Sequence, residues 1–260
     1  MKNVFLSVLV FSILLFGCSK STTDSKPAPV ASFTWKTSNT TAPSTVVFTN
    51  TSTNASSYIW DFGDGTTSTV ISPTHIYNTV GTFTATLTAT NSSGSSSAYD
   101  NINTVSPYSI GQSYGGGIVF YIDQTGFHGL IAATSDQAPS IRWNNGTNLT
   151  SASLSTAIGT GNSNTNIIIG FQGAGAYAAK QCKGVINGYS DWYLPSKDEL
   201  NLLYNQWSAV GGFYNAEYWS SSDWGNSSIS AAWSQDFTNG TQYGHDKSRV
   251  NCRVRAIRSF

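Results

Sequence analysis

The stretch Tyr58-Ile59-Trp60-Asp61-Phe62-Gly63-Asp64-Gly65-Thr66-Thr67-Ser68-Thr69 decides how the first half of the chain is read. Trp60 and Phe62 are two residues apart, so in an extended segment both side chains fall on one face. Asp64-Gly65 then ends the strand, because glycine enters positive φ without penalty and aspartate accepts nearby backbone N–H bonds. The segment therefore reads as a half-buried strand running into a tight turn.

The same period of two continues outward. In the stretch from Gly81 to Asn91, Phe83, Ala85, Leu87 and Ala89 point one way, and Thr82, Thr84, Thr86 and Thr88 the other. This is a strand with an apolar face and a threonine-coated face. No helical spacing occurs between Val30 and Val105, so this region is expected to form a small antiparallel sandwich. Trp60 through Gly65 resembles the hallmark of the polycystic-kidney-disease (PKD) repeat at every position. Ser72 to Gly94, with His75-x-Tyr77 and the strand after Gly81, resembles the family's next stretch. The resemblance implies an Ig-like β-sandwich that acts as a spacer or contact module. Asp61 and Asp64 are candidate calcium ligands, but two carboxylates are few for a cation that takes six to eight oxygens. The favoured reading makes them turn residues, and His75 a packed side chain.

Upstream, residues 1–17 carry one positive charge at Lys2 and an apolar run from Val4 to Phe16, which fits a signal peptide better than a membrane span. The run ends at Gly17-Cys18, which resembles the bacterial lipobox. Cys18 is then the expected lipid-attachment site, with outer-membrane anchoring and possible surface exposure following from it. Residues 18–29, rich in Ser, Thr and Pro, read as a flexible tether.

Downstream, the Ser-rich stretch before Pro107 places a boundary near Ser106, and residues 106–260 are expected to form an α+β domain. Gly115-Gly116-Gly117 precedes an apolar strand, Ile118–Ile122. A phosphate loop needs a helix at that point and a Lys-Ser/Thr pair, so these glycines are read as allowing close backbone approach. Ala178 and Cys182, four apart in an Ala-rich stretch, suggest a close-packed helix. Lys197-Asp198-Glu199-Leu200 spells a retention address, but such a signal must end the chain. Ser196 with Glu199 is a capping box, and Leu200, Leu203, Tyr204 and Trp207 form the apolar stripe of the helix it starts. Near the C-terminus, Val250, Cys252 and Val254 alternate with Arg249, Arg253 and Arg255. That pattern is one strand with an arginine-bearing face, open to anionic glycans or to local acids.

With 13 basic and 13 acidic residues the net charge is zero, so no bulk field draws the chain to nucleic acid. Charged residues are 10% and aromatics 13%, which argues for strands and turns over a helical bundle. With Cys18 lipidated, Cys182 and Cys252 are expected to pair in an exported protein. A bridge closing that loop of about 70 residues would contribute roughly 4 kcal/mol.

The motifs DWYLPSKDELNLLY, YWSSS and the terminal VRAIRSF together resemble the Lcl C-terminal domain family. The resemblance implies a C-type-lectin-like fold, with a helix cysteine joined to one in the final strand, and a role in adhesion and glycosaminoglycan binding. The triplets that hold calcium in calcium-dependent sugar lectins are missing, and no cofactor is expected. Candidate ligand-binding residues are Trp219, Ser221, Asp223, Trp224, Trp233, Asp236, Arg249 and Arg253, which combine indoles for sugar faces with polar groups for hydroxyls. The expected partner is a glycan or matrix-like polymer, and no catalytic residue is assigned. Two alternatives stay open: an enzyme related to formylglycine-generating oxidases, and a purely structural envelope protein.

Overall fold

The computed structural model describes residues 26–147, 154–224 and 230–260. Cys18, the signal segment and most of the tether lie outside the described residues.

The first region has seven strands: β1 (Phe33–Thr37), β2 (Ser44–Asn50), β3 (Ser57–Asp61), β4 (Thr67–Ser68), β5 (Thr74–Tyr77), β6 (Gly81–Asn91) and β7 (Gly94–Thr104). They form two sheets, β1-β2-β5 and β4-β3-β6-β7, all of whose pairings are antiparallel. The inner faces enclose Val46, Phe48, Trp60, Phe62, Tyr77, Ala85, Leu87 and Ile102. This is the expected sandwich, with Trp60 fully buried and its indole N–H donating to the Val70 carbonyl at 3.0 Å. Gly63 sits at φ 78°, and a Cβ there would lie 2.6 Å from the Thr84 carbonyl oxygen. Only glycine fits both the backbone conformation and the space.

The two aspartates of the opening stretch act locally. Asp61 accepts the Gly63 N–H at 2.9 Å. Asp64 accepts the Thr66 N–H at 3.0 Å and the Thr66 hydroxyl at 2.6 Å, and contacts His75 Nε2 at 2.7 Å. The His75 ring lies flat on Phe62, 4.0 Å between centroids. On the outer face of β6 and β7, Thr82 and Thr84 donate to Asn103 and Asn101, and Thr88 bonds Ser97, at 2.8–3.0 Å. That face is held by neutral cross-strand pairs.

Among its described residues the second region is mostly β, with four short helices. In chain order its elements are β8 (Ser113–Tyr114), β9 (Gly117–Ile122), β10 (Gly129–Ala132), β11 (Ala138–Ile141), α1 (Gly161–Gln172), α2 (Ala178–Cys182), α3 (Lys197–Asn205), α4 (Trp207–Val210), β12 (Glu217–Asp223), β13 (Ala231–Asp236), β14 (Gln242–Asp246), β15 (Cys252–Val254) and β16 (Ile257–Ser259). The sheets run β16-β10-β9-β8 and β11-β15-β12-β13-β14. The β12–β15 pairing is parallel and the rest are antiparallel. One apolar cluster, including Val119, Ile131, Trp143, Ile168, Trp192 and Trp219, packs α1 and α2 against the sheets. A second gathers Phe120, Leu200, Leu203, Tyr218, Phe237 and Ile257 under α3.

The capping box is present. Ser196 Oγ accepts the Glu199 N–H at 3.3 Å, and Glu199 Oε2 accepts the Ser196 N–H at 2.8 Å. The same carboxylate accepts the Gly159 N–H at 2.8 Å, just ahead of α1, and is wholly buried. Burial pushes its pKa up, and the backbone N–H groups around it oppose that shift.

Four expectations are corrected. The Ala-rich helix is only five residues, because Gly173 and Gly175 take positive φ just before it. Trp207 does not extend the α3 stripe. It begins α4 after an irregular Gln206 and stays 45% exposed. The terminal arginine strand is shorter than expected: β15 holds only Cys252–Val254, Arg249 and Arg255 fall outside it, and a separate strand, β16, follows in the other sheet. Finally, Cys182 and Cys252 are free thiols. Both are buried in the same cluster, and the Cys252 thiol donates to Glu217 Oε2 at 3.5 Å.

Candidate functional site

The structure divides the eight candidate ligand residues into a structural group and one indole pair at the surface. Trp219 is fully buried and donates its indole N–H to the Ile141 carbonyl at 2.9 Å. Ser221 is buried and accepts from Asn164 Nδ2 at 3.2 Å. Asp223 pairs with the wholly buried Lys247 at 2.6 Å, and that ammonium also lies 4.5 Å over the Trp143 ring. Asp236 accepts the Thr238 N–H at 2.8 Å and shapes the β13–β14 turn.

The arginines are committed as well. Arg249 meets Glu217 at 2.7 Å. Arg253 and Arg255 converge on Asp136, at 2.9 and 2.7 Å. Asp136 also accepts the Tyr218 hydroxyl at 3.0 Å. The fully buried Arg255 fills its remaining donors with the Ala133, Gly211 and Gly212 carbonyls. Phe213 and Tyr214 lie 4.0 and 3.8 Å from the Arg255 and Arg253 guanidinium carbons. The arginine face therefore reads as paired with local acids, and the anionic-glycan alternative loses its free cations.

Trp224 and Trp233 remain. β13 pairs Trp233 with Gly244 on β14, so the sheet has no side chain opposite the Trp233 indole. Trp224, just past β12, fills that place: a Cβ on Gly244 would lie 2.0 Å from its ring. The two indoles pack at 4.2 Å between centroids with planes tilted by 52°. Lys197, the first residue of α3, holds its ammonium 4.4 Å over Trp233, a contact worth about 0.5–1 kcal/mol at an exposed site. Its backbone is fixed by Ser222 Oγ, which accepts the Lys197 N–H at 3.0 Å, and by Gln242 Nε2, which donates to its carbonyl at 3.1 Å. Trp224 stays 39% exposed and Trp233 half-buried. The result is a packed aromatic ledge with a cation at its side, suited to a flat C–H face.

Lys197 and Gly244 were not singled out as ligand residues by the sequence, because their roles arise only when α3 and β14 meet β13. Among the described residues no group of three or more His, Cys, Asp or Glu is arranged to hold a metal.

Residues 26–106 match the PKD domain family, and residues 132–258 match the Lcl C-terminal domain family. The chain joins a PKD domain to an Lcl C-terminal domain. Collagenase ColA of Bacillus cereus is 56% identical over 41 residues, which are 16% of this chain and 4% of the collagenase. The pre-pro-metalloprotease PrtV of Vibrio cholerae is 40% identical over 81 residues, 31% of this chain and 9% of PrtV. The chain thus spans less than a tenth of either relative. Among solved structures, the PKD1 domain of Vibrio cholerae PrtV is 37% identical with a TM-score of 0.27, covering 30% of this chain and 98% of that domain. A carbohydrate-binding module of the β-sandwich superfamily is 25% identical with a TM-score of 0.30, covering 42% of this chain and 49% of the other. The aromatic ledge lies wholly within the Lcl C-terminal domain.

Proposed function

We propose that the protein is a lipid-anchored envelope binding protein, in which the PKD domain is a stalk and the Lcl C-terminal domain, of C-type-lectin-like fold, binds glycan. The Trp224–Trp233 ledge carries this reading, because a pre-packed indole pair costs little ordering entropy when a sugar ring lands on it. PKD domains are typically extracellular or surface-associated, which supports an address outside the cytoplasm. Among the described residues no helix is long and apolar enough to cross a membrane. In this reading attachment rests on a lipid at Cys18, and phase partitioning in detergent tests it: Cys18→Ala is expected to move the protein to the aqueous phase, and an unchanged partition refutes the anchor.

A binding role is preferred to oxidase chemistry because Cys182 and Cys252 are both packed in the core, where burial raises their pKa values, and the Cys252 thiol is taken up by Glu217.

Binding to a panel of immobilised polysaccharides tests the glycan reading. Trp224→Ala is expected to weaken binding about tenfold, with Trp224→Phe in between. Absence of binding to every polymer, or wild-type binding by Trp224→Ala, overturns it.

A further inference from the structure

The β8–β9 hairpin turns through Gly115 and Gly116, at φ 53° and 84°, and a broad, solvent-open cleft of about 400 Å³ lies beside it, with Ser113, Tyr114, Thr134 and Asn187 exposed along it. That volume lies within the ~300–1,000 Å³ typical of small-molecule sites. Its lining is Ser113, Tyr114, Gly115, Gly116, Gly117, Thr134 and Asn187.

Each glycine is required by a close neighbour. A Cβ on Gly117 would lie 2.2 Å from the Ala132 carbonyl oxygen, one on Gly116 2.6 Å from the Tyr189 ring, and one on Gly115 2.6 Å from the Arg258 guanidinium. The floor is therefore backbone pressed against backbone and aromatic ring. Asn187 braces it, donating from Nδ2 to the Gly116 carbonyl at 2.7 Å.

The lining has no carboxylate and no ammonium or guanidinium. The nearest cation, Arg258, is consumed: it forks onto Asp191 at 2.7 and 2.8 Å, donates to the Gly115 carbonyl at 2.8 Å and stacks 4.1 Å from Tyr189. An anion finds no free partner there, and a metal ion finds no charged oxygen. The wall does offer neutral hydrogen-bonding groups. Among the described residues, the Ser113 and Thr134 hydroxyls and the Asn187 side-chain oxygen have no protein partner. Beside them Tyr114 is 41% exposed, with its ring held from behind by Tyr108 and Phe260 at 4.8 and 5.3 Å. One fixed aromatic face plus several neutral donors and acceptors matches a ring with apolar C–H faces and a hydroxyl rim.

We propose that this cavity is a second binding site, built for an uncharged pyranose unit and separate from the Trp224 ledge. The two sites use different sheets and share no residue, so this site stands whether or not the ledge binds glycan.

The test is a titration of the full chain with neutral hexasaccharides of glucose, mannose and N-acetylglucosamine, followed by amide chemical shifts and calorimetry. At least one sugar is expected to shift the amides of residues 113–117, 134 and 187. Its affinity should change less than about twofold between roughly 50 and 500 mM salt, since no charge is engaged. Tyr114→Ala should weaken that binding about tenfold. Thr134→Val, which keeps the shape and removes one hydroxyl, should weaken it measurably even if Tyr114→Ala disturbs the hairpin. Shifts confined to residues 224, 233 and 244 support the ledge and overturn the cavity site. So does wild-type affinity in Thr134→Val, or no shift with any sugar.

Discussion

The PKD domain and the Lcl C-terminal domain settle their polar groups in opposite ways. In the PKD domain Asp61 and Asp64 shape their own turn, Asp64 also meeting His75, and the outer sheet is tied by neutral Thr, Ser and Asn pairs. In the Lcl domain one half-buried carboxylate, Asp136, holds two arginines from the far end of the chain, and Lys247 is buried against Asp223. Among the described residues the first solution buries no ammonium or guanidinium. The second needs distant parts of the chain brought together before Arg255 and Lys247 find their carboxylates, so these buried ion pairs act as conditions on the fold.

A paired thermal-unfolding experiment sharpens this contrast. Asp136→Ala leaves Arg255 buried without its carboxylate and is expected to destabilise the Lcl domain by about 3–5 kcal/mol, with the PKD transition unmoved. Gly63→Ala forces a Cβ into the Thr84 backbone at positive φ, which should cost the PKD domain about 1–3 kcal/mol and leave the Lcl transition unmoved. Loss of both transitions in either variant would break the picture of separately organised domains.

A smaller effect separates them by pH. Burial raises the folded-state pKa of Glu199 above its ordinary 4.5. Its contribution is therefore fully present below 4.5 and is lost as pH rises through the folded value. Asp64 goes the other way: burial alone would raise it, but bonds from Thr66 and His75 bring it below 3.8. Its contribution is present above 3.8 and lost as pH falls through the folded value. In melting curves taken from about pH 3 to about pH 7, a range that brackets the ordinary carboxylate values, Asp64→Asn should remove part of the acid loss of the PKD transition. Glu199→Gln should remove part of the decline of the Lcl transition as pH rises. Identical pH profiles in variant and wild type would refute the respective assignment.

The same contrast explains what the sequence made legible. The sandwich followed from Trp60-Asp61-Phe62 and the alternation of β6, since strand period and turn chemistry are written within a dozen residues. The α3 cap was legible for the same reason. The eight-residue candidate site was not, because the Trp, Ser, Asp and Arg letters of a ligand platform are also those of a polar-braced core. Only the pairing of Trp233 with Gly244 separates Trp224 from Trp219. The helix α1 escaped detection because its first turn is Gly161-Asn162-Ser163-Asn164, with no acidic residue there and no side-chain cap. The cysteine bridge was inferred from an exported address and from a family resemblance, and nearness in one core does not by itself bring two sulfurs together.

Residues 252–259 supply β15, threaded between β11 and β12, and β16, which edges β10. The order in which the chain emerges from a ribosome or a translocation pore therefore matters unequally. The PKD domain has all its strands once residue 104 is out, and can form while synthesis or export continues. The Lcl domain has a gap through the middle of its larger sheet until the last of its strands arrives, leaving the neighbouring edges open to chaperones in the meantime.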